Sequence, residues 1–137
     1  VGTNSQTLLN NPDYLGYREK RLSGKAYDEF IEKFAAVFRK VFPNALCQWE
    51  DFSKQNAFTI KDKYLKRMIS FNDDIQGTGS IALSSVLAAM KFKNERLTDQ
   101  KFLIYGAGAG GVGITTQIFS ALVEYGLSEK EAKRHIF

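Results

Sequence analysis

Cysteine occurs once in this 137-residue chain, at Cys47. A lone thiol excludes an internal disulfide, and its place in a strand-like apolar run predicts a buried, reduced group suited to a reducing compartment. The expected setting is therefore cytoplasmic, or an organelle matrix if the source is eukaryotic. Proline occurs twice, as Pro12 and Pro43, and both fall in turns rather than inside periodic segments. No apolar run approaches the roughly 20 residues that a membrane-spanning helix needs, and no secretory signal opens the chain. No internal repeat, low-complexity tract or flexible linker interrupts it. Charge of one sign is also scarce, because 19 basic residues against 15 acidic ones leave a formal net charge of +4. The lysines and arginines are scattered along helical faces and loops, without aromatic interleaving or a nucleic-acid motif. Neither a membrane nor a nucleic acid is expected as a partner.

Hydrophobic residues make up 44% and charged residues 25% of the chain, close to the averages of globular proteins. The length suffices for one domain with a real core and is too short for two large ones. Both ends read as internal. Val1-Gly2-Thr3 looks like the tail of a strand already under way, and Arg134-His135-Ile136-Phe137 stops where a strand should begin. An internal slice of a longer polypeptide is expected, with apolar faces and unpaired edges left open.

Periodicity supplies the elements. Tyr27, Phe30, Ile31, Phe34, Val37, Phe38 and Val41 recur at three- and four-residue steps, which predicts a helix over about 25–41 with one wide buried stripe. Pro43-Asn44 ends it. Ala45 to Trp49 reads as a strand, Ser53 as an N-cap for a helix through about Leu65, and Met68 to Phe71 as a second strand. Gly77-Thr78 opens a small-residue helix, apolar on most sides and so expected to pack deeply. Lys101 to Tyr105 is a third strand, followed by a helix over about 110–125 that Gly126 stops. Ser128 and Glu131 form a capping box for a last short helix.

The polar clusters sit where these runs end. Glu50-Asp51 follows the first strand, Asp73-Asp74 the second, and the glycine cluster Gly106 to Gly113 the third. If the strands are parallel and each is followed by a helix, their carboxyl-end loops face one crevice, which is where open α/β sheets bind ligands. Glu50 and Asp51 can both turn toward one ion at a strand end, and one acid of the second pair would supply a third oxygen ligand. Such a set suits a hard divalent cation, Mg²⁺ or Mn²⁺, completed by water or substrate oxygens. Gly106-x-Gly108-x-x-Gly111 follows a strand and opens a helix, the context that the dinucleotide fingerprint requires. Gly110 and Gly113 offer a second frame, but the strand end at Tyr105 favours the frame starting at Gly106. The acid that grips a ribose lies about 20 residues beyond such a loop. Glu124, Glu129 and Glu131 fall there, in helices, and read as exposed charges, so NAD versus NADP stays open.

Several stretches together resemble the malic enzyme family, with its malolactic relatives. They are Val1-Gly2-Thr3-Asn4, Leu8-Leu9-Asn10, Tyr27-Asp28-Glu29-Phe30, Trp49-Glu50-Asp51-Phe52, Asn56-Ala57, Phe71-Asn72-Asp73-Asp74-Ile75-Gln76-Gly77-Thr78 and Gly106-Ala107-Gly108. They stand in family order and spacing over nearly the whole chain. The resemblance implies an α/β fold of parallel βα units. Residues 1–73 would form part of a malate- and metal-binding domain, and residues 74–137 the N-terminal part of a Rossmann-type NAD(P)-binding domain. It assigns Glu50, Asp51 and Asp74 to the metal and places Asp73 behind the site as a supporting residue paired with a catalytic lysine. Asp74, Gly106, Ala107, Gly108, Ala109, Gly110 and Gly111 are the implied cofactor-binding set.

The implied activity is oxidative decarboxylation of L-malate to pyruvate and CO₂ with reduction of NAD or NADP, in a homo-oligomeric parent enzyme. The family's lysine base, tyrosine acid and substrate arginine precede the position of Val1, so no catalytic base or acid is assigned here, and the piece alone is expected to be inactive. Lys54 and Tyr14 read instead as a solvated lysine and a turn tyrosine. Lys54 stands where family members often carry a small polar residue near the cofactor. Two rivals are a malolactic enzyme, releasing lactate, and a non-catalytic nucleotide-binding module.

Overall fold

The computed structural model describes residues 2–137; Val1, with the strand tail expected there, lies outside the described residues. The chain divides into two compact units, 1–45 and 46–137.

In the first unit Gly2 and Thr3 continue in no regular element, and the Thr3 amide donates to the Glu19 carbonyl at 3.0 Å. A short helix α1 (Gln6–Asn10) leads into the turn cluster. Arg18 knits that cluster together, its guanidinium donating to the carbonyls of Leu9, Asn11, Pro12 and Tyr14 while lying over the Tyr14 ring. The long helix α2 (Gly24–Val41) forms as its spacing predicts, but the expected wide buried stripe does not. Only Ile31 and Ala35 are buried, whereas Phe30, Phe34, Val37 and Val41 are each more than two-fifths exposed. Amphipathic spacing fixes which side of a helix is apolar, and burial also needs a partner surface of matching width. Phe34, Phe38 and Phe42 instead lie against one another, with centroids 6.0 and 5.7 Å apart.

In the second unit β1 (Cys47–Trp49) and β2 (Ser70–Asn72) pair in parallel, joined by the crossover helix α3 (Lys54–Tyr64). This is the βα reading of the sequence, with strands shorter than the apolar runs. Cys47 and Trp49 point inward while Gln48 points out, the period-two alternation of a half-buried strand. Trp49 packs on Tyr64 at 5.4 Å and on Phe52 at 6.0 Å, and Ala57 and Ile60 of α3 are buried as well. Ser53 stands at the N-cap position of α3 but its hydroxyl makes no capping bond.

A π-helical turn (Asp73–Gly77) follows β2 and runs directly into α4 (Thr78–Lys93). Asn94, in the left-handed region at φ 55°, ends α4. The expected deep packing of α4 is one-sided. Leu83, Val86, Leu87 and Met90 sit against the core, while Ile81 and Phe92 are largely exposed.

The predicted third strand is reduced to a parallel bridge between Phe102 and Ile136. The Phe102 amide donates to the His135 carbonyl at 2.7 Å and the Ile104 amide to the Phe137 carbonyl at 2.8 Å. Beyond it, α5 (Ala109–Glu124) packs on α4 and on the π turn, and α6 (Glu129–Ala132) carries the predicted capping box. Leu97, Ile118, Ala121, Leu122 and Ala132 form the centre of this core, walled by Phe102, Ile104 and Ile136. No helix among the described residues is long and apolar enough to cross a membrane.

Candidate functional site

The strand register sets the geometry. Trp49 lies opposite Asn72, so both strands end side by side, and Glu50-Asp51 and Asp73-Asp74 leave from the same edge of the sheet. Asp51 adopts φ 61°, a left-handed conformation that costs a non-glycine residue of order 1 kcal/mol and that aspartate tolerates better than most. The turn this creates aims the Asp51 amide at Oδ2 of Asp74, 3.0 Å away. Glu50 is occupied differently, its Oε2 accepting from Nε2 of Gln48 at 3.1 Å. The structure therefore joins the turns of Asp51 and Asp74 and leaves the Glu50 carboxylate on its own strand neighbour. No group of three histidine, cysteine or acidic side chains converges to metal-binding distance among the described residues. The donor chemistry of the three carboxylates suits a hard divalent ion, but what the structure brings together is the Asp51 backbone amide and one Asp74 oxygen, not the three carboxylates.

Asn72, to which the sequence assigns no role beyond its place in the Phe71–Thr78 stretch, starts the turn. It is fully buried, its Oδ1 accepts from the Ile75 amide at 2.9 Å, and its own amide donates to Oε1 of Gln76 at 3.0 Å. These bonds satisfy the first turn after β2 much as an Asx cap does. Its Nδ2 is buried with no partner among the described residues, a state that costs of order 1–3 kcal/mol. Asp73 lies over Gly77, where an added Cβ would stand 2.1 Å from its Oδ1. A broad hollow of about 810 Å³ opens on this side, lined by Phe71, Asp73, Gln76, Thr78, Ile81 and Gln117 among others. Neither Glu50, Asp51, Asp74 nor the glycine loop lines it, so it is not the crevice between the acidic turns and that loop.

The glycine loop comes close to the turn after β2 through Gly110, where an added Cβ would stand 3.4 Å from the Thr78 methyl. Gly106 has φ 130°, which only glycine adopts without strain, and turns the chain out of the bridge segment. Gly108 occupies the N-cap of α5, and Cβ atoms built on Gly106 or Gly108 would meet nothing within 4 Å. Gly108 thus stands at the start of a sixteen-residue helix with nothing where a side chain would lie, and helix N-terminal amides are the groups that cradle a diphosphate in dinucleotide-binding loops. Gly113 serves packing, since a Cβ there would stand 2.0 Å from the Ile75 carbonyl oxygen. A Cβ on Gly110 would meet the Asp74 carbonyl oxygen at 3.6 Å, which places the loop next to the acidic turn.

Lys54 is exposed, as expected of a solvated lysine, and it also makes a long-range contact. Its ammonium donates to the Ala107 carbonyl inside the glycine loop, bridging 53 positions of sequence. No local pattern signals such a bond. Tyr14 stays a turn residue beneath Arg18, and Glu124, Glu129 and Glu131 are exposed. Glu131 belongs to the capping box with Ser128, and the hydroxyl and amide of Ser128 hold its carboxyl below the usual carboxylate range. Cys47 is buried, and that burial pushes its thiol pKa up.

Comparison with known proteins converges on the same segments. The profile for the malic enzyme N-terminal domain matches residues 1–65, and that for the malic enzyme NAD binding domain matches residues 75–137. Over all 137 residues the chain is 48% identical to a malolactic enzyme of Leuconostoc mesenteroides and 45% identical to NAD-dependent malic enzyme 3 of Bacillus subtilis. It is 44% identical to the mitochondrial NAD-dependent malic enzyme of Saccharomyces cerevisiae. The chain covers 25%, 24% and 20% of those three proteins, a quarter or less of each.

Proposed function

Because the chain belongs to the malic enzyme family, we propose that it is part of an enzyme that oxidatively decarboxylates L-malate to pyruvate and CO₂ while reducing NAD⁺ or NADP⁺. The observation that carries this is the meeting of Asp51 and Asp74 at adjacent parallel strand ends, beside a glycine loop that opens a helix. In this reading residues 1–73 contribute to a malate- and metal-binding domain and residues 74–137 begin the NAD(P)-binding domain. Glu50, Asp51 and Asp74 would hold Mg²⁺ or Mn²⁺. The chemistry such an ion would supply there is Lewis-acid polarisation of a substrate oxygen.

The chain's own residues do the positioning. The Asp51 amide holds the Asp74 carboxylate, Asn72 and Gly77 set the turn that carries Asp73, and the backbone amides at the start of α5, beside the uncrowded Gly106 and Gly108, would receive the dinucleotide diphosphate. Bringing the C2–H bond of malate toward the nicotinamide is then a matter of holding two ligands on neighbouring loops of one sheet edge. The proton-transfer groups are assigned to no residue of this chain.

A second reading has a specific observation behind it, namely the 48% identity to a malolactic enzyme. The two share a substrate and differ in product. Purified full-length protein with L-malate, NAD⁺ or NADP⁺ and Mn²⁺ should form NAD(P)H and pyruvate. Lactate without net NAD(P)H would establish the malolactic alternative, and no consumption of malate under either cofactor would overturn both.

A further inference from the structure

Lys54 is the one cation bonded into the glycine loop among the described residues, and it reaches there from the first residue of α3, just past the acidic turn Glu50-Asp51. Its acceptor, the Ala107 carbonyl, belongs to the peptide that joins Ala107 to Gly108. That peptide is planar, and in its trans form the C=O and N–H point in opposite directions. No cis peptide occurs among the described residues. Holding the Ala107 oxygen toward Lys54 therefore turns the Gly108 N–H away from Lys54. This peptide turns about ψ of Ala107 and φ of Gly108, and glycine's wide choice of φ would otherwise let it rotate cheaply.

Building on the dinucleotide reading above, we propose that Lys54 is a positioning residue. By fixing the Ala107–Gly108 peptide plane it orients the Gly108 amide for the dinucleotide's diphosphate, and so sets dinucleotide affinity without taking part in the chemical step. Lysine suits this task because its ammonium is a strong donor on a stem long enough to cross between loops. The contact is solvent-exposed, so its effect is confined to orientation, where a single preorganised bond matters more than its net contribution to stability.

The test uses the full-length enzyme with Lys54→Met, which keeps the stem and removes the donor, and Lys54→Arg, which keeps a donor. Steady-state kinetics should show the Met variant raising KM for the preferred dinucleotide about tenfold, with kcat and KM for malate within about twofold of the parent. Arg should restore the dinucleotide KM to within about threefold. Equilibrium binding of adenosine, which lacks the diphosphate, should be the same in all three. A dinucleotide KM unchanged in the Met variant overturns the proposal. So does a Met variant in which KM for malate or the affinity for adenosine worsens by the same factor, because that is general damage rather than loop orientation. Failure of the parent enzyme itself to bind NAD⁺ or NADP⁺ would be a failure of the underlying functional reading, and is seen before any variant is made.

Discussion

The Asp51 amide donates to Oδ2 of Asp74 across 3.0 Å and across 23 positions of sequence, tying the end of one strand to the end of its parallel neighbour. Asp74 thus has two separable properties, an acceptor oxygen and a negative charge. Asp74→Asn keeps an acceptor for the amide and discards the charge. The expected outcome is a thermal midpoint close to the parent's, with Mn²⁺ affinity of the full-length enzyme reduced at least tenfold, on the order seen when a metal site loses a supporting group. Titration calorimetry with Mn²⁺ measures the second quantity. Parental affinity in the variant would remove Asp74 from the metal site.

The glycines divide by what surrounds them, and two substitutions should therefore fail in opposite ways. Gly113→Ala places a methyl 2.0 Å from the Ile75 carbonyl oxygen, so α5 must move off the π turn. Overpacking of this kind costs about 1–3 kcal/mol, and should appear as a lower thermal midpoint. Gly108 has φ −72° and ψ −175°, angles any residue adopts, and open space around its Cα. Gly108→Ala should leave stability within about 0.5 kcal/mol and, if the proposed diphosphate site at the start of α5 is used, weaken dinucleotide binding, because the methyl would occupy space that the loop now leaves open. Calorimetric unfolding and NAD⁺ titration on the same two variants separate these effects. A stable Gly113→Ala protein or undisturbed NAD⁺ binding by Gly108→Ala would contradict the division.

What the sequence made legible is local in origin. Helix α5 and its stop at Gly126 follow from a glycine turn and an apolar run, and the Ser128–Glu131 box from two residues three apart. The adjacency of the acidic pairs was legible because parallel βα units leave few topologies, and the register Trp49–Asn72 realises one of them. Features that depend on distant partners were not legible. The π turn at Asp73–Gly77 spans too few residues to leave a periodic signature, and it rests on Asn72 and Gln76. The Lys54–Ala107 bond and the open faces of α2 and α4 are likewise set by what lies opposite in space. The engagement of Glu50 by Gln48 follows from strand alternation, which puts residues two apart on one face, but nothing in the pattern says that it forms.

Glu131 gives α6 a pH dependence of known sign. Its carboxyl is held low in the folded state by the hydroxyl and amide of Ser128. Its contribution is therefore present above the ordinary carboxylate range and is lost as pH falls through the lowered folded value. Protection of the Ser128 and Glu131 amides from exchange, relative to the intrinsic rate at each pH, should be lost on acidification before that of Leu122, which lies fully buried in the neighbouring core. Ser128→Ala should accelerate exchange in α6 already at neutral pH, since the hydroxyl it removes caps the Glu131 amide. Equal acid sensitivity at all three amides would show that the box does not act locally.

Cys47 carries the opposite sign. It begins β1, is 6% exposed, and its amide donates to the Ile69 carbonyl at 2.9 Å, so the thiol is fixed beneath the sheet. Burial disfavours the thiolate and raises the pKa. A group whose folded pKa is raised favours the folded state fully below the unfolded value, and that contribution disappears as pH climbs through the folded one. Two outcomes follow. Stability should decline through the alkaline thiol range, and a Cys47→Ala variant should lose that part of the decline. Alkylation by iodoacetamide should be slow near neutral pH compared with the denatured chain, because the thiolate is the nucleophile and is both scarce and covered. The rate should rise with denaturant before it rises with pH, since opening β1 exposes the sulfur and normalises its pKa together. Rapid modification of the native protein at neutral pH would mean that β1 opens readily, and the pairing that aligns Glu50-Asp51 with Asp73-Asp74 would then be too weak to hold a site.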